Sequence, residues 1–147
     1  MDGTDQHLHI TRGLEALAGD NILEALVHFE HADRLGRTPL TASCLGYCLA
    51  REHRRIQHGL ALCFEALRQE RSNPLLYLNL GRVHLLAGQR LKAITVLQRG
   101  HRLAGGEIIR AQLATLGLRK APVFKALPRD HPFNKYGGKL LARMGLR

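Results

Sequence analysis

No run of apolar residues in this chain approaches the roughly 18–20 needed to cross a bilayer, so no membrane span is expected. Cysteine is scarce: Cys44, Cys48 and Cys63 are the only three, an odd number that builds no disulfide framework. The opening residues MDGTDQHLHITRG are acidic and polar where a secretory leader is basic and then apolar. Together these features lead to the expectation of a cytoplasmic protein with reduced thiols. Alternating β-branched runs of useful length are missing, which excludes a sheet as the core. Tryptophan is absent, and aromatic residues are 5% of the 147. Hydrophobic residues at 45% and charged residues at 23% are nevertheless ordinary for a globular chain, which excludes wholesale disorder and fibre-like sequences. A chain of this length buries roughly 70% of its unfolded surface and needs no covalent staple.

The signatures of catalysis are also missing. Acidic residues are dispersed, so no carboxylate pair stands ready for acid–base work. The segment GHRLAGGE lacks the Lys-Ser/Thr that a phosphate-binding loop requires. Cys44 and Cys48, four apart, share one helix face, but no C-x-x-C pair or histidine at a recognised spacing completes a metal set. The cysteines are expected to act as small buried hydrophobes. His28 and His31, three apart, share a face without a third ligand in the pattern. No cofactor, no metal and no enzymatic activity are expected.

What the chain does have is an internal period. Ala25, Gly59 and Ala93 are each 34 residues apart, as are Phe29, Cys63 and Leu97, and again Ala32, Ala66 and Gly100. Upstream of them, Gly13, Gly46 and Gly81 are spaced 33 and 35, with the slippage falling in the loop REHRRIQHG. Each unit divides into two helical patterns at a polar break: Gly19-Asp20-Asn21, Arg54-Arg55 and Gly88-Gln89. Thr38-Pro39 and Asn73-Pro74 place a capping side chain before a proline at the first helical position, where its missing N–H costs nothing. Asn21 and Glu24 form a capping-box pair, and Gly36 and Gly105 read as helix stops. Helices are expected near 4–18, 21–35, 38–53, 56–71, 74–87 and 89–103. The small residues allow paired helices to approach closely, with Phe29, Cys63 and Leu97 filling the groove between units.

This pattern resembles the tetratricopeptide repeat family over residues 6–106. In the third unit Tyr77, Leu80-Gly81, His84, Ala93, Leu97 and Gly100 fall at the family's positions. The first unit keeps Gly13, Ala25, Phe29 and Ala32 but has Arg12 for the expected Leu; the second keeps Leu45-Gly46 and Ala66 but has Gly59 for the expected Ala. The resemblance implies an all-α fold, an α-solenoid of antiparallel helix pairs of about three units. EIIRAQLATLGL, at 107–118, is amphipathic and reads as a capping helix over the array's apolar end. The domain expected is therefore 1–118. In that family the first helix of each pair lines a concave groove. The matching register puts His7, Tyr47, Arg51, Leu75, Leu78, Asn79, Arg82 and Leu86 there as peptide-binding residues. Apolar Ile10, Leu14 and Leu75 occupy the positions where the family's carboxylate-clamping members carry Lys and Asn. A hydrophobic or amphipathic peptide is thus the expected ligand, with Arg51 and Arg82 able to hold an acidic residue within it. The function implied is non-catalytic binding of a protein or peptide partner by an adaptor, assembly factor or chaperone-like holder.

Composition shifts at 119–147. This basic, proline-containing tail holds eight Lys/Arg and one acid, against fourteen and eleven in the first 118 residues. Val123, Phe124, Leu127, Phe133 and Tyr136 give it enough apolar surface to dock on the array. The same rings among basic residues also suit a nucleic-acid partner. A membrane surface is the weakest of the readings, because one short basic stretch binds lipid poorly.

Overall fold

The computed structural model describes residues 2–117, which form seven helices with no strand among them. They are α1 (Asp2–Ala18), α2 (Ile22–Leu35), α3 (Pro39–His53), α4 (Ile56–Gln69), α5 (Pro74–Leu86), α6 (Arg90–Ala104) and α7 (Glu107–Thr115). The first six lie within two residues of the expected bounds. The seventh stops three residues short of 118, because the chain turns at Gly117 with φ +75°, a left-handed conformation that glycine adopts freely. Met1–Leu113 is one compact unit; of a second, Ala114–Arg147, only residues 114–117 are described. The basic tail 119–147 lies outside the described residues. No helix of the described residues is long and apolar enough to cross a membrane.

Local chemistry explains where the helices begin. The Thr38 hydroxyl accepts from the Thr41 N–H at 3.2 Å while the Thr41 hydroxyl accepts from the Thr38 N–H at 2.9 Å, a reciprocal cap followed by Pro39. The Asn73 side chain accepts from Leu75 N–H at 3.0 Å ahead of Pro74. Asn21 accepts from Glu24 N–H at 3.3 Å, and its amide donates back to the Glu24 carboxylate at 2.6 Å. α4 and α6 start without a side-chain cap. They follow directly from the preceding helix through short breaks, so packing rather than a cap holds their first turns.

Adjacent helices pack in pairs, α1 on α2, α3 on α4 and α5 on α6; α3 also packs on α2 and α5. Every residue from Thr41 to Ala50 of α3 is buried. Each pair closes over a glycine of its first helix. A Cβ on Gly13 would meet the Phe29 ring at 2.8 Å, and one on Gly81 would meet Leu97 at 2.8 Å. A Cβ on Gly46 would meet the Gly59 carbonyl at 2.8 Å and the Cys63 sulfur at 3.3 Å. Phe29, Cys63 and Leu97 therefore lie inside their own pairs, against the glycine, and not in the groove between units expected from their spacing. Gly59 has a reason to be glycine: a Cβ there would lie 2.6 Å from the Gly46 carbonyl oxygen, so the α3 and α4 backbones touch. Gly100 leaves room for Tyr77 on one side and for the fully buried Ile109 of α7 on the other.

Candidate binding surface

Tyr47 stands one turn before Arg51 on α3, and α5 carries Arg82 alongside. The Arg51 guanidinium donates to the Tyr47 hydroxyl at 3.0 Å and to both carboxylate oxygens of Asp20 at 2.6 and 3.1 Å. Arg82 lies over the Tyr47 ring, 5.5 Å from its centroid, and its Nε donates to Gln112 Oε1 at 3.4 Å. One phenol ring is thus engaged by two arginines, at its hydroxyl and at its face. Asp20 occupies the α1–α2 turn at φ 59°, a left-handed position that aspartate tolerates better than most residues. Hydrogen bonding to Arg51, then the charges of Arg51 and Arg82, hold its carboxyl below the usual range. The hydrogen bonds that Arg51 donates to Asp20 and Tyr47 in turn raise its own pKa.

The other expected groove residues fall into three settings. Leu78 and Asn79 are inside: Asn79 has no exposed surface, and its amide nitrogen donates to Ser43 Oγ at 3.0 Å and to Cys44 Sγ at 3.5 Å. Its Oδ1 has no partner among the described residues. Leu75 and Leu86 are half-buried and pack against the core. His7 is exposed on α1, and its carbonyl accepts from Thr11. Of the eight, the structure brings Tyr47, Arg51 and Arg82 into one cluster. Asp20, 31 residues from Arg51, joins them without any signal in the spacing. Its place in a break between helices was the only clue.

The chain matches no protein-family model and no curated protein sequence.

The cysteines are all free and buried, and burial pushes each thiol up to about 12, so none is a nucleophile at neutral pH. Cys63 donates weakly to the Ser43 carbonyl at 3.6 Å. His9, His28 and His31 meet between α1 and α2, with His9 and His28 Nδ1 atoms 3.1 Å apart and the His9 and His31 rings stacked at 4.9 Å. The shared face of His28 and His31 was visible in their spacing, but the arrival of His9 was not. No group of three metal-ligating side chains able to hold an ion occurs among the described residues. What the Tyr47–Arg51–Arg82 cluster can do chemically is donate hydrogen bonds to an anionic group through its two guanidiniums; the Tyr47 ring, 7% exposed and covered by Arg82, positions them.

Proposed function

We propose that this protein is a non-catalytic interaction module of the tetratricopeptide kind, an α-solenoid that binds a peptide or protein segment on the face formed by α3 and α5. The observation that carries the reading is Tyr47 held between Arg51 and Arg82 on two neighbouring helices. Two guanidiniums, positioned by the buried Tyr47, recognise a carboxylate in the partner, and the half-buried Leu75 and Leu86 accept apolar side chains beside it. Asp20, an exposed carboxylate, already occupies Arg51, and a partner's acidic group replaces it there. Support for the repeat comes from the glycine contacts, which recur at Gly13, Gly46 and Gly81 with partners 34 residues apart. Reduced thiols and a cytoplasmic location belong to the same reading, in which the protein serves as an adaptor, assembly factor or chaperone-like holder.

The experiment is affinity capture from the native host with partner identification, comparing the native chain with Arg82→Glu and Tyr47→Ala/Arg82→Glu. Circular dichroism checks that each variant is folded. The expected result is selective loss of a partner from both variants. Equal recovery of every partner removes the face from consideration.

The charge asymmetry favours a second reading, a nucleic-acid partner held by the basic segment 119–147. Its affinity would fall steeply with salt and would vanish when that segment is deleted. Binding unchanged by the deletion rejects it.

A further inference from the structure

A second concavity, about 270 Å³, opens between α4, α5 and α6, away from Tyr47. Leu80 and Val96 floor it, and Phe64 and Leu103, 47% and 53% exposed, form its apolar walls. Arg68, Arg71 and Arg99 ring it. None of these three guanidiniums has an ion-pair partner among the described residues, although Arg37, Arg51 and Arg110 all do. The nearby carboxylate of Glu65 faces Arg37 instead.

Two features make the concavity a built one. The Phe64 ring meets His84 edge-on at 6.0 Å, and His84, nearly buried, is fixed by a 2.8 Å hydrogen bond to Gln89 Oε1. Tyr77 donates its hydroxyl to the Arg71 carbonyl at 2.9 Å, tying the α4–α5 loop to α5 and holding Arg71 at the rim. Helix-end electrostatics accounts for Arg68, in the last turn of α4, but not for Arg71 or Arg99.

We propose that this cleft binds an acidic segment of a partner protein through one aromatic or leucine anchor. The apolar floor takes the anchor, and the three arginines take flanking carboxylates as charge-assisted hydrogen bonds. The volume suits one or two side chains rather than a cofactor. The chain's own basic tail, eight Lys/Arg to one acid, has the wrong sign to fill it. A nucleic acid is disfavoured because the first 118 residues carry fourteen Lys/Arg against eleven acids, a near balance unlike the strong basic excess of a nucleic-acid footprint. The proposal is independent of the Tyr47 face and stands or falls separately.

The test is fluorescence anisotropy on the full chain with a labelled peptide, Asp-Glu-Asp-Phe-Glu-Leu-Asp-Glu. Two control peptides carry Gly for Phe and Leu, or Lys for every acid, and the third probe is an eight-nucleotide oligothymidine. The expected result is saturable binding of the first peptide alone, weakened by salt. Arg68→Glu/Arg99→Glu and the milder Arg99→Ala each reduce it, the double variant by at least about tenfold. Arg82→Glu leaves it unchanged. Tighter binding of the oligonucleotide, equal binding of the anchorless peptide, no saturation at about 1 mM, or equal loss in Arg82→Glu overturns the proposal.

Discussion

Asn79 is enclosed between α3 and α5 with its amide nitrogen satisfied and its Oδ1 without a partner among the described residues. A buried acceptor left unpaired costs about 1–3 kcal/mol, so this position trades stability for a fixed Ser43–Asn79 register between the two helices that carry Tyr47 and Arg82. The thiols around it behave as hydrophobes with a testable ionisation. Burial raises Cys44, Cys48 and Cys63 from 9.0 to about 12. The native state therefore keeps three protons that the unfolded chain releases above pH 9, so their contribution is fully present below pH 9 and is lost as pH rises from 9 towards 12. Iodoacetamide at pH 8 is expected to leave the native chain unmodified and to label all three cysteines in urea. The urea midpoint is expected to fall less steeply above pH 9 in Cys63→Ala than in the native chain, whatever that variant costs at neutral pH. Rapid labelling of the folded protein would show that the thiols are not sealed.

At the scale of the element, the glycines decide how closely helices pair, and one of them gives a prediction whose sign opposes propensity. Alanine is favoured over glycine within a helix by about 1 kcal/mol. At Gly59, however, a methyl group would lie 2.6 Å from a backbone oxygen that no rotamer change can move. Gly59→Ala is expected to destabilise by about 1–3 kcal/mol, while Gly3→Ala, where a Cβ meets nothing within 4 Å, is neutral or mildly stabilising. Chemical denaturation of the two variants decides it; a Gly59→Ala protein as stable as the native chain would mean that α3 and α4 are not in backbone contact. These elements were legible because their signals are local. Thr38-Pro39 and Asn73-Pro74 mark starts through side chains acting on their own backbone, and the 34-residue recurrence marks the small residues at which paired helices approach; it did not show that Phe29, Cys63 and Leu97 face the glycines of their own pairs. The depth of a residue within a face was not legible. Leu78 and Asn79 share the register of exposed groove positions, and only the close packing of α3 on α5 encloses them. The contacts of Asp20 with Arg51 and of His9 with His28 join residues whose separations, 31 and 19, follow no helical period, so no pattern within a helix announces them.

Across Met1–Leu113, burial is distributed unevenly, and that sets which parts open first. α3 packs on α2, α4 and α5 and has ten consecutive buried residues, whereas α7 is nine residues long with only Ile109 buried. A helix shorter than about 12 residues is marginal in water without tertiary support, so α7 depends on the seat that Gly100 leaves for Ile109. Native-state hydrogen exchange is therefore expected to be slowest in α3 and α5 and fastest in α7 and the first turn of α1. Ile109→Ala removes the one buried anchor, and because α7 opens on its own, exchange in residues 107–115 should approach the unfolded rate while α3 stays protected. The variant also separates the two candidate surfaces. Arg82 is linked to α7 through Gln112, so freeing α7 is expected to weaken capture at the Tyr47 face, while the Phe64 cleft, built from α4, α5 and α6, keeps its peptide. Loss of protection in α3 together with α7 would instead mean that the unit unfolds as a single cooperative body, with α7 as much a part of it as the helices at its centre.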